Sequence, residues 1–155
     1  MKYRELTELT NTELFQRFVQ SYNFEYKFID NTLCIKNNCL LILIYGFYTE
    51  DILYFDFVKT DDKTTANIGR LISDSSNKDE MKRIYAFFKK NHIQPVSNIV
   101  TPNTIKVERY FMTYIKIISD YLSNLLRCDL SSYNKYFEPA PPMRQQEFEK
   151  ILKEF

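Results

Sequence analysis

Apolar positions along the chain change period several times, and each change marks an element. After Thr10-x-x-Glu13, a capping-box pattern, Leu14, Phe15, Phe18, Val19 and Tyr22 recur at spacings of three and four. That stripe predicts a first helix from about Asn11 to Ser21. The period then drops to two: Phe24, Tyr26 and Phe28 alternate with Glu25 and Lys27, as in a half-buried strand. Asp30-Asn31 suits a tight turn because both residue types tolerate positive φ. Thr32 to Lys36 reads as a second strand, Asn37-Asn38 as a second turn, and Cys39 to Tyr48 as a strand apolar on both faces, hence central in its sheet. Thr49-Glu50-Asp51 turns the chain into a fourth strand, Ile52 to Lys59, which completes a four-stranded antiparallel meander.

Beyond the polar loop from Thr60 to Thr65 the period becomes helical. Ile68, Leu71 and Ile72 fit a short helix, and Asn77 with Glu80 caps another that carries Met81, Ile84, Tyr85, Phe87 and Phe88 and ends at Gln94-Pro95. Thr101 before Pro102 starts a long helix, because a proline at the first helical position forfeits no hydrogen bond. Its stripe of Val107, Phe111, Tyr114, Ile115, Ile118, Leu122, Leu125 and Leu126 predicts one helix to about Cys128. Pro139-Ala140-Pro141-Pro142 then reads as a stiff connector, and Met143 to Phe155 as a last helix whose Phe148, Ile151, Leu152 and Phe155 need a surface to cover. The expected architecture is α+β: an N-terminal helix, the meander, then four helices including the long one. Residues 1–138 form one domain, and 139–155 supply a connector and a docking helix.

Composition narrows the chemistry. The chain has 155 residues, 45% hydrophobic and 26% charged, enough for a core without metal or disulfide staples. Two glycines leave no Gly-rich loop to cradle a phosphate or dinucleotide, so no cofactor is expected. One histidine and no dense carboxylate cluster point away from most metalloenzymes and triads, and a net charge of +1 announces no polyanion partner. The charged first residues lack the apolar run of a secretory signal, and Leu40 to Tyr45 is far short of the ~20 residues a membrane helix requires. A cytoplasmic protein is therefore expected, and with it free thiols at Cys34, Cys39 and Cys128. The C-x4-C spacing of Cys34 and Cys39 lacks a second ligand pair for zinc, so both read as core residues and Cys128 as a buried, inert one.

Single residues offer little catalysis. His92 after Lys89-Lys90-Asn91 suits a helix end. Glu25-x-Lys27 with Asp56 resembles the carboxylate-and-lysine arrangement of metal-dependent nucleases, but its order is reversed and the carboxylate cluster of two-metal chemistry is missing. Acidic residues outnumber basic ones in the first half of the chain and the balance reverses in the second. The partner-binding candidates are accordingly two acidic turns and a tyrosine edge. Glu50 and Asp51, with Asp61 and Asp62, flank a fourth strand expected at the edge of the sheet, where unpaired backbone adds to negative charge. Tyr110, Tyr114 and Tyr121 follow the margin of the long helix's stripe; tyrosine is enriched in interfaces, although core-edge packing and codon bias yield such a stripe as well.

The whole profile, small, single-domain, rich in aromatics and in Asn, Ile and Lys, and without a catalytic constellation, is similar to the small immunity proteins with which bacteria neutralise toxins delivered by neighbouring cells. The resemblance is to the class and attaches to no motif. It implies a non-enzymatic protein whose partner is another protein, such as a secreted toxin domain, with neither nucleic acid nor membrane involved. A nucleic-acid-associated regulator is the alternative, on the positive second half, followed by a homo-oligomeric structural or phage accessory protein.

Overall fold

Strand β3 (Leu40–Phe47) organises the computed structural model, which describes residues 3–47, 52–72, 86, 90, 99–100 and 104–155. Strands β1 (Glu25–Ile29), β2 (Thr32–Lys36), β3, β4 (Ile52–Lys59) and β5 (Thr65–Asn67) lie side by side in chain order, each antiparallel to the next. The α+β class is as expected, but the meander is longer than four strands. β5 pairs Asp56 to Val58, and a two-residue strand, β6 (Ile99–Val100), pairs Ile52 and Leu53. Both are too short to show a period of two. Their consequence is a correction: β4 is flanked along both ends and is not an edge strand.

Alternation sorts the side chains into two layers. Leu33, Ile35, Leu40, Ile42, Ile44, Phe55, Phe57 and Ala66 face the larger core. Cys34, Leu41, Leu43 and Val58 face the opposite side. β3 is thus apolar on both faces and buried on both. The β1–β2 turn is Asp30-Asn31, with φ of 48° and 64°, the left-handed pair that a two-residue hairpin needs. The next turn falls one residue later than the sequence suggests. Asn37 N–H donates to Leu40 O at 3.0 Å, while the Asn37 side-chain oxygen accepts from Cys39 and Leu40 N–H at 3.1 and 3.0 Å. Asn38 and Cys39 are therefore turn residues.

Helices α1 (Tyr3–Leu9), α2 (Glu13–Ser21), α4 (Thr104–Tyr121) and α5 (Ser123–Leu126) contribute to the larger core, and α3 (Ile68–Ile72) follows β5 directly. The first helix region is two helices. Because α1 ends at Leu9, Thr10 is spent in the link, and the cap is Thr12, whose hydroxyl accepts from Phe15 N–H at 3.4 Å. The long helix breaks at Leu122, yet its stripe continues: Phe111, Tyr114, Ile115, Ile118, Leu122, Leu125 and Leu126 are all buried. The segment carrying Met81 to Phe88 as a unit, His92, and the Thr101-Pro102 start lie outside the described residues.

The opposite face is covered by α6 (Pro142–Lys153), entered with a proline in its first turn. Phe148 and Ile151 pack on Cys34, Leu41, Leu43 and Val58, with Leu152 and Phe155 beside them. Lys150 pairs with Asp30 at 3.5 Å, and the ammonium of Lys27 donates to Glu154 O and lies over the Phe155 ring. The apolar stripe of the C-terminal segment thus has its surface on this same chain. Among the described residues no helix is long and apolar enough to cross a membrane.

Phe148→Ala should destabilise the protein by about 3–5 kcal/mol, the range for removing a buried aromatic ring. Truncation before Pro142 should cost more, since it uncovers Leu41, Leu43 and Val58 together. Urea unfolding curves measure both, and an unchanged midpoint in either would detach α6 from the core.

Candidate functional site

Two polar clusters stand out, one under α6 and one at the end of the sheet where β4 gives way to β5. Under α6, Tyr45 and Asp56 share the outer face of β3 and β4. Tyr45 O–H donates to Asp56 Oδ2 at 2.6 Å, and Arg144 reaches the same carboxylate at 2.9 Å and the Tyr45 hydroxyl at 3.2 Å. Its other nitrogen pairs with Glu147 at 2.7 Å, one turn along α6. The guanidinium also lies over the rings of Tyr45 and Phe148, 5.2 and 5.0 Å from their centroids, and Tyr45 stacks on Tyr54 at 5.2 Å. Burial, and then the Asp56 charge, push the Tyr45 phenol well above its ordinary value, so it remains a donor. With these partners made within the chain, the cluster fastens α6 to the sheet.

This cluster was not legible beforehand. Asp56 does interrupt an otherwise apolar strand, but its partner is 88 positions away. The nuclease-like trio is not brought together either. Glu25 and Lys27 lie on β1, and two strands intervene before Asp56 on β4, so roughly 14 Å of sheet separates them at the usual strand spacing. Among the described residues no group of three His, Cys, Asp or Glu is placed to hold a metal ion.

At the other cluster, the β4–β5 loop is built around Asp62. Its carboxylate accepts from Thr64 N–H at 2.9 Å and from the Thr64 hydroxyl at 2.6 Å, and lies 3.1 Å from the Lys59 ammonium. Slight burial works against its charge, but the hydrogen bonds from Thr64 and Lys59 prevail and hold the carboxyl below its ordinary range. Asp61 Oδ1 accepts from Asp62 N–H, and Lys63 takes the left-handed conformation at φ 59° to close the turn onto Lys59. Both aspartates are exposed. The loop is also tied sideways to the β2–β3 turn: Thr60 N–H donates to Cys39 O at 3.1 Å and its hydroxyl to Asn38 O at 2.9 Å.

That turn holds a second correction. Cys39 is bonded to Cys128, with Cα atoms 5.7 Å apart, across 89 positions. Neither is a free core thiol, and Cys128 is exposed. Only Cys34 is free; it is buried beneath α6, where burial, reinforced by the charge of Glu147, pushes the thiol up to about 12. The disulfide lines an open cavity of about 600 Å³ with Tyr22, Asn37 and Arg127 among its walls.

The remaining candidates scatter. Tyr114 points into the core, fully buried and stacked on Phe55 at 5.6 Å, so it belongs to the packing stripe and leaves the proposed tyrosine edge. Tyr121 is half-buried against the same core. The side chain of Tyr110 and the whole of Glu50 and Asp51 lie outside the described residues. The latter two fall in the chain between Phe47 and Ile52.

No family model, curated protein or solved structure matches this chain.

The Tyr45 cluster predicts a pH dependence. A phenol whose value is raised on folding adds stability that is complete below its unfolded value, near 10, and is lost as pH climbs toward the raised folded one. Stability should therefore fall above pH 10, and less steeply in Tyr45→Phe, as read from urea midpoints between pH 8 and 11. Asp56→Ala, which strands Arg144 and the phenol together, should cost about 2 kcal/mol at neutral pH.

Proposed function

We propose that the chain is a non-enzymatic binding protein of the immunity kind, which neutralises a bacterial toxin domain by direct contact. The observation that supports this reading is the β4–β5 loop. Its two carboxylates are exposed, yet the loop is held by Thr64, Lys59 and the neighbouring turn. Charges fixed before binding avoid the entropy cost of ordering them in the complex. They also attract a basic surface at a distance, and toxins that act on nucleic acids present such surfaces to their substrates. The hydrogen bonds to Asp62 keep it ionised well into mildly acidic solution. Interception takes place in the cytoplasm, where such a toxin finds its substrate and where thiol-reducing pools act on exposed disulfides.

Charge reversal tests the reading. A cognate toxin domain should bind this chain with an association rate that falls as salt rises. Asp61→Lys/Asp62→Lys should slow that association roughly tenfold or more at low salt. Because Asp62→Lys also removes the bonds from Thr64 and Lys59 that hold the loop, a urea midpoint measured beside it, together with Asp61→Lys alone, separates lost charge from a loosened loop. Glu50→Lys/Asp51→Lys makes the same change in net charge at the far end of β4, and its effect shows whether the contact extends that far. A fourfold variant that protects cells and binds as the parent does would overturn the assignment of the acidic turns.

A further inference from the structure

We infer that the Cys39–Cys128 bond is a reversible thiol–disulfide exchange site, open to small cellular thiols such as glutathione, and that the fold is built to survive its reduction. The inference is independent of any binding partner. It rests on the access to the two sulfurs and on what else joins the elements they link.

Access is one-sided. Cys128 is exposed at the end of α5 and Cys39 is half-buried in the β2–β3 turn, with the open cavity beside both. A thiolate therefore meets Cys128 Sγ first. Its sulfur bonds to Cys128, the Cys39–Cys128 bond breaks, and Cys39 leaves as a thiolate that takes a proton from water. A second thiolate then attacks the sulfur of the mixed disulfide and releases Cys128. Two small thiols become one small disulfide, and the protein gains two thiols.

The join does not depend on the sulfur bridge alone. Asn37, nearly buried in the same turn, donates from its amide nitrogen to Leu126 O at 2.9 Å, a carbonyl at the end of α5, and to Tyr22 O at 3.5 Å beyond the end of α2. Its oxygen already accepts two backbone N–H groups of the turn and lies 3.3 Å from Cys39 Sγ and 3.9 Å from Cys128 Sγ. In the disulfide neither sulfur carries a proton, so these are only contacts. On reduction each becomes a weak S–H donor beside an oxygen whose two lone pairs already serve Cys39 and Leu40 N–H, so the turn keeps its backbone bonds without relying on either sulfur. The α5 terminus is closed separately: Cys128 N–H donates to Leu125 O at 3.1 Å and Asp129 N–H to Asn124 O at 2.9 Å, a Schellman pattern with Cys128 in the left-handed conformation at φ 70°. Leu125 and Leu126 are fully buried, held by apolar packing in addition to the sulfur bridge.

Cys34 is an internal reporter, since its thiol lies under α6 and reacts only when that face opens. The oxidised native chain, treated with N-ethylmaleimide and weighed intact, should take no adduct. After equilibration with glutathione buffers of cytosolic ratio it should take two, at Cys39 and Cys128, while Cys34 stays unmodified. The melting temperature should fall by roughly 10 °C, as expected for opening a long loop, with the far-ultraviolet dichroism retained. Cys128→Ser should reproduce that fall and show no further response to reductant. Reduced Asn37→Ala should melt below both reduced parent and oxidised Asn37→Ala, because both joins are then gone. The inference is overturned if Cys34 labels together with the other two in the parent chain, if glutathione leaves the bond intact, or if the purified dithiol does not close with oxidised glutathione. Should Asn37→Ala fail to fold, the parent chain and Cys128→Ser decide the matter alone.

Discussion

The structure depends on burying both faces of β3. Leu40, Ile42 and Ile44 on one side and Leu41 and Leu43 on the other are essentially inaccessible, each representing about 1.5–3 kcal/mol of burial. An antiparallel strand of that kind cannot sit in a sheet with one wet face. It demands a second layer, and the chain supplies that layer from its far end, with Phe148 and Ile151 of α6. The proline-rich approach at 139–142 delivers the helix to the face formed by Cys34, Leu41, Leu43 and Val58.

Double burial has a second consequence. A strand that alternates apolar and polar residues protects its own register, since a slip of one residue would turn its apolar side to water. β3 lacks that safeguard. Its register must come from its neighbours, and two features provide it. The Asn38-Cys39 turn, closed by the backbone and side chain of Asn37, fixes β3 on β2. On β4, Asp56 stands opposite Leu43, and one residue of slip would move its carboxylate to the larger core, away from Tyr45 and Arg144. Leaving a charge there without partners costs several kcal/mol. The cluster under α6 thus fastens the helix and fixes the strand order together.

Most of the fold was legible because period and turn chemistry are local. β2 and β4 run as the alternation places them, and Asp30-Asn31 turns as its residue types require. α6 begins one residue before the expected start, on the proline of its first turn. What escaped was non-local or too short. β5 and β6 carry three and two residues, and α1 precedes a capping box that points to the wrong threonine. The helix stripe put Tyr114 at its margin beside Tyr110 and Tyr121, and for Tyr114 the side is different. Tyr114 sits at the centre of the buried face, between Phe111 and Ile118. The disulfide was hidden twice, by a separation of 89 positions and by a turn displaced one residue from Asn37-Asn38. Of the candidate site, the acidic residues were visible as charge; the bonds that hold them were not.

The end of the sheet near Lys59 gathers segments that are remote in sequence. Thr60 ties the β4–β5 loop to the carbonyls of Asn38 and Cys39, Asn37 ties that turn to α5, and Lys59 reaches Asn134 at 3.2 Å beyond it. Two of these joins, from the Thr60 hydroxyl to Asn38 O and from the Asn37 amide to Leu126 O, run from a side chain to a carbonyl that secondary structure leaves unpaired, at a turn and at a helix end. Such groups are costly when buried alone, so pairing them across three segments offsets the expense for all three at once. The result is a surface whose exposed charges, Asp61 and Asp62, rest on a support braced from several directions. In the binding role proposed, a surface held by that many mutual constraints keeps its shape, and its partner must fit it. That property favours selective recognition of one partner over broad, adaptable binding.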